Sequence, residues 1–181
     1  MLRSLLLYTA LVFGANGAFA GAIDFEAAQQ GGLAKLIETE PTDLPDTVFL
    51  DADGNEVSFA DYAGTALLVN FWATWCAPCR EEMPSLDALQ TELGGDDFQV
   101  LTIATGRNPR EAIDRFYEEE AIENLPILTD ARQKLSRDMG VMGLPVTVLI
   151  SPEGKEVARL LGDADWASDA AKQVIRELKA P

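Results

Sequence analysis

Asn70-Phe71-Trp72-Ala73-Thr74-Trp75-Cys76-Ala77-Pro78-Cys79-Arg80-Glu81-Glu82-Met83-Pro84 is the stretch on which the reading of this chain turns. It starts inside an apolar run, Thr65 to Ala73, and ends inside a helical pattern, Cys76 to Leu93. A near-continuous apolar run of that length predicts a strand buried on both faces. Cys76 and Cys79, the only cysteines, therefore fall where a strand ends and a helix begins. Backbone N–H groups and the positive end of the helix dipole favour thiolate over thiol at such a place. The spacing lets one sulfur attack a target and the other return to close a disulfide. A purely structural staple is the alternative. A loop closed over two residues removes little unfolded-state entropy and would stabilise the fold weakly.

Working outward, Pro84 lies within the helical pattern and predicts a kink near its start. Phe98 to Thr105 and Val146 to Ile150 read as further buried strands. Lys155 to Leu161 follows the second of these after a Ser151-Pro152-Glu153-Gly154 turn, so those two strands must run antiparallel. Asn108-Pro109 predicts a helix start, with Asn as cap and Pro at the first helical position, running to about Ala121. Pro126 to Leu128 is a short extended piece, Asp130 caps a helix to about Met139, and Asp165 to Lys179 closes the chain as a helix. Upstream, Thr47 to Leu50 and Glu56 to Ser58 flank an Asp51-to-Asn55 turn and read as a hairpin. A calcium loop would need its glycine and its last acid at other positions. Phe25 to Glu38 has helical spacing interrupted at Gly31-Gly32, and Pro41 and Pro45 mark a loop. Strands alternating with helices give an α/β class, a central mixed sheet with helices on both faces.

Composition sets limits on function. A 48% hydrophobic content supports a full core. The formal charge of −16 argues against nucleic acid as a partner and for a monomer kept apart by self-repulsion. With no histidine, the usual general base and the commonest metal ligand are both missing, so no metal site is expected. Residues 1–20 read as an export signal: Arg3, an apolar Leu5-to-Phe13 core, and Ala18-Phe19-Ala20 for cleavage. An uncleaved anchor is the alternative, since Ser4 to Ile23 is free of charge. Either form delivers the domain outside the cytosol. Residues 21–44 are then an N-terminal extension and 45–181 the folded domain.

Two further features belong with the cysteines. Gly143-Leu144-Pro145 leads into a strand, where proline cannot donate to the ladder. A cis Leu144–Pro145 bond is one explanation, and an ordinary trans proline at the first strand position is the other. Glu82 stands three residues after Cys79, on the same helix face. If that face is buried, the carboxyl pKa rises and the group can exchange a proton with Cys79. Glu81 reads as a first-turn acid favoured by the dipole, and Glu82 has that alternative too.

The quoted segment resembles the active-site segment of the TlpA/ResA/CcmG group of extracytoplasmic, thioredoxin-like thiol–disulfide oxidoreductases. The likeness extends to Leu144-Pro145, to the hairpin and to Asn108–Ala121 as an inserted helix. The Gly162-Asp163-Ala164-Asp165-Trp166-Ala167-Ser168 segment resembles the TlpA branch. The resemblance implies a thioredoxin-like fold and a cofactor-free protein-disulfide reductase in the periplasm. Cys76, Cys79, Glu82 and Pro145 would be catalytic, with Trp75, Ala77, Pro78 and Leu144 bordering the substrate groove. It implies an apocytochrome or a copper-site assembly protein as client, and a membrane thiol reductase as electron donor. Plain thioredoxins carry a buried aspartate six residues before the first cysteine. Asn70 stands there and cannot usefully take a proton, which shifts the acid role to Glu82. Leu144 adds no hydrogen bond to a Cys76 thiolate, which favours a low-potential reductant over an oxidant. A Cu(I) chaperone is the competing class, since thiolates bind soft metals. Such proteins on this scaffold typically add a histidine, which this chain lacks.

Overall fold

The computed structural model describes residues 23–180, so the signal or anchor read at 1–20 lies outside the described residues. Eight strands form one mixed sheet. We number them β1 (Leu36–Asp43), β2 (Phe49–Leu50), β3 (Glu56–Val57), β4 (Ala66–Trp72), β5 (Phe98–Thr105), β6 (Leu128–Asp130), β7 (Val146–Ile150) and β8 (Lys155–Leu161). Their spatial order is β1-β8-β7-β4-β5-β6-β2-β3. Among the described residues the α-helices are α1 (Phe25–Gln30), α2 (Ala77–Leu93), α3 (Arg110–Glu119), α4 (Lys134–Asp138) and α5 (Asp169–Leu178), with a short 3-10 turn at Phe59–Tyr62. β4 is parallel to β5 and antiparallel to β7, and every one of its residues is buried.

The two-residue period of β4 divides the core between two faces. Leu68 and Trp72 meet residues of α2, α3 and α5, among them Leu86, Phe116 and Ile175. Leu67, Val69 and Phe71 point the other way, to Leu135 of α4 and to Phe49 and Phe59. Asn70 shares the face of Leu68 and Trp72. It is therefore the one polar side chain that β4 sends toward α2.

Several sequence expectations are corrected, among them the helix read from Asp130, which is the shorter α4 with Gln133 as its N-cap. Leu36–Asp43, expected as the end of a helix and a loop in the extension, is strand β1, paired antiparallel with β8. Pro41 is tolerated there because β1 is an edge strand and its register shifts between Glu38 and Thr42. The hairpin is shorter than read, and Leu50 joins the sheet through Thr129 of β6. Asn108 does not cap α3, whose N-cap is Pro109. Its Oδ1 instead accepts from the Thr74 main-chain N–H at 2.8 Å and the Thr74 hydroxyl at 3.0 Å. The last helix begins at Asp169 instead of Asp165, capped by Ser168, which accepts from Ala171 N. The antiparallel β7–β8 pair and the proline within α2 are as read.

Candidate active site

β4 delivers the chain to a tight turn, Ala73 to Trp75, and Cys76 is the N-cap of α2. The turn is closed by Cys76 N donating to Ala73 O at 3.0 Å, and tethered sideways by Asn108. Cys76 and Cys79 are joined as a disulfide. Their surroundings differ: Cys76 is 6% exposed and Cys79 is fully enclosed. Of the two, only Cys76 keeps any exposure and lines a surface groove, so it is the cysteine on the solvent side of the bond.

A groove beside Cys76 is lined by Trp75, Pro78, Val141, Met142 and Leu144. Trp75 is 67% exposed and Met142 96% exposed, so two large apolar side chains flank Cys76. The Leu144–Pro145 bond is cis. Pro145 itself is buried, and its carbonyl accepts from Gly162 N at 2.9 Å. Ala77, expected along the same groove, instead faces a second hollow with Thr74, Arg80, Pro84 and Glu120. There the Arg80 guanidinium lies 4.7 Å from the centre of the Phe116 ring, joining α2 to α3. Met142 was not singled out from the sequence. A methionine just before Gly143-Leu144-Pro145 is its only sequence signal.

Glu82 lies behind Cys79, one turn along α2 and 3% exposed. Its Oε1 accepts from Asn70 Nδ2 at 2.8 Å, and its Oε2 from Ala164 N and Trp166 Nε1, each at 3.1 Å. Ser85 Oγ donates to the Glu82 carbonyl and accepts from Trp166 N, which fixes the loop that supplies those donors. Burial pushes the Glu82 carboxyl up to about 7. The hydrogen bonds from Asn70, Trp166 and Ala164 oppose that rise, and the charge of Asp163 adds to it. Glu81 is exposed, but it lies beyond the first turn of α2, which holds no acid, so the first-turn reading is corrected. Asn70 and Trp166 enter the site as partners of Glu82, a role their sequence positions did not disclose.

Among the described residues, no group of three or more His, Cys, Asp or Glu is placed to hold a metal ion. The arrangement suits two-electron sulfur chemistry with one nearby group able to take or give a proton.

The family model described as Redoxin matches residues 40–175. The chain belongs to the Redoxin family. Its relatives include the thiol-disulfide oxidoreductase ResA of Geobacillus thermodenitrificans, 34% identical over 61% of this chain and 63% of that protein. ResA of Bacillus subtilis is 29% identical, covering 68% of each. The chain thus spans under two thirds of the first relative's length. Among solved structures, the exposed lipoprotein thioredoxin Etrx1 of Streptococcus pneumoniae matches with a TM-score of 0.63. It is 32% identical and covers 74% of this chain and all of that one. Within the Redoxin family, the chain is a thioredoxin-fold protein of the TlpA/ResA/CcmG-like group.

Proposed function

We propose that this chain is an extracytoplasmic thiol–disulfide oxidoreductase that reduces disulfides in partner proteins. The observation that carries this reading is one cysteine on the solvent side bonded to an enclosed one, with a buried carboxyl behind the latter. In the described form the pair is oxidised. A donor dithiol first supplies two electrons and two protons, leaving Cys76 and Cys79 as thiols. Cys76, as thiolate, then attacks a partner disulfide. A mixed disulfide forms and one partner sulfur leaves. Cys79 gives its proton to Glu82 and attacks the Cys76 sulfur. The second partner sulfur leaves and is protonated, and the Cys76–Cys79 bond is restored.

Trp75, Pro78 and Leu144 are the residues along which an extended client segment would lie, with Pro145 holding that wall in place. The likeness to the TlpA/ResA/CcmG group supports a client in cytochrome c maturation or in copper-site assembly, recharged by a membrane thiol reductase. The export-signal features of residues 1–20 support a periplasmic site of action. Insulin reduction by the wild type and by Cys76→Ser tests the reading. Wild-type turnover that disappears in the variant is expected, and equal behaviour of the two would refute it. In extracts, Cys79→Ser should accumulate covalent adducts through Cys76, and those adducts name the client.

A further inference from the structure

Every neighbour that reaches the Glu82 carboxylate is a donor. Oε2 faces a main-chain N–H, from Ala164, and an indole N–H, from Trp166. Neither group can accept a hydrogen bond, and neither can turn away. Trp166 is wholly enclosed, and its own main chain is held by Ser85. A proton on Oε2 would point at two donors. Oε1 has a different partner, the Asn70 amide, and an amide carries an acceptor as well as a donor.

Asn70 Oδ1 is buried, and among the described residues it has no hydrogen-bond partner. No bond to Oδ1 opposes a turn of the amide; the described orientation is set by the two bonds from Nδ2, to Glu82 Oε1 and Thr147 Oγ1, and matches the carboxylate form. Turning it exchanges an unpartnered oxygen for an unpartnered nitrogen at the same place. Its second contact, Thr147 Oγ1 at 2.9 Å, serves both orientations, because a hydroxyl donates or accepts. The charged group around Glu82 is Asp163 in the loop before α5, itself paired with Lys35 at 3.4 Å; the Cys76–Cys79 disulfide nearby does not titrate in this form. β4 and β7 contribute only the neutral Asn70 and Thr147.

We propose that Asn70 is a positioning residue that serves Glu82 in both protonation states. Its Nδ2 donates to the carboxylate and, after a half-turn of the amide, its Oδ1 accepts from the carboxylic acid, so the exchanged proton sits on Oε1. The inference rests on the reading that Glu82 exchanges a proton with Cys79. It gives a reason for an asparagine at a place where an aspartate would add a second negative charge. One side chain matches whichever form Glu82 takes, and the carboxyl group need not move.

NMR on the full-length oxidised protein tests this. The Glu82 side-chain carboxyl carbon and the Asn70 side-chain N–H signals are followed from about pH 5 to about pH 9, a range that brackets the titration of a buried carboxyl. Both are expected to move with one shared midpoint. Asn70 signals that stay still while Glu82 titrates would overturn the proposal. In Glu82→Gln the new amide resembles the protonated acid. The Asn70 signals should then be independent of pH and lie at their wild-type low-pH positions. Signals at the high-pH positions would count against it. Should that variant not fold, the wild-type titration decides alone. The measurement involves no partner protein. A coupled titration in a chain that reduces nothing removes the reductase reading and keeps this role for Asn70. An unmoving amide in an active reductase does the reverse.

Discussion

Glu82 links folding to chemistry. Its carboxyl, raised by burial to about 7 from an ordinary 4.5, binds a proton in the folded chain across a pH window where the unfolded chain has lost it. Stability therefore falls as pH rises from about 4.5 to about 7, by roughly 3 kcal/mol in all for this one group. Urea unfolding across that range should show the decline, and Glu82→Gln should flatten it. The same substitution should slow closure of the Cys76–Cys79 bond by about 10²-fold, the low end for loss of a positioned acid–base group. Alkylation of reduced Cys76 should stay nearly unchanged. Rapid-quench measurement of the two steps separates them, and equal slowing of mixed-disulfide formation would contradict the assignment. The pairing of Cys76 with Cys79 and the shared helix face of Cys79 and Glu82 were legible from spacing, because i and i+3 on a helix share a face; that this face is buried was legible only as a condition. Trp166 and Asn70 were not. They lie 84 and 12 residues from Glu82 in sequence, and only the packing of the 162–168 loop and β4 against α2 brings them to it. Met142 escaped notice because exposure is a property of the folded surface.

At the scale of elements, α3 does more than fill the space between β5 and β6. Phe116 and Tyr117 pack on Trp72 at the end of β4, with ring centres 5.4 and 6.1 Å away. Asn108, just before α3, grips Thr74 in the turn that presents Cys76. Asn108→Ala should destabilise the fold by about 1 kcal/mol and loosen that turn, which urea unfolding and proteolysis between Ala73 and Cys76 would register. Unchanged protection of the turn would show that β4 alone holds it. The asparagine was read as a helix cap because Asn-Pro before a helical pattern has that meaning locally. A long-range partner took the side chain instead. β1 was misread for a related reason. Its proline, its three carboxylates and glycines just upstream all speak against a strand, yet an edge position tolerates each of them. The interior strands β4, β5 and β7 were legible because burial on both faces leaves a mostly apolar sequence.

For the whole molecule, a formal charge of −16 on 181 residues makes the approach of any partner dependent on its sign. A cationic peptide disulfide should be reduced faster than an anionic one of equal reactivity at low salt. The gap should close by about 1 M salt, where charges are screened within about 3 Å. Stopped-flow rates for the two peptides would test this, and a gap insensitive to salt would exclude steering.

The two rims of the sheet carry a last consequence. One ends in β1, lined with acids and broken by Pro41; the other ends in β3, only two residues long. Neither offers a template on which a stranger's chain could zip itself. An extended polypeptide lying alongside finds little lateral foothold at either rim, and under the proposed function that leaves the tip beside Cys76 as the place of contact.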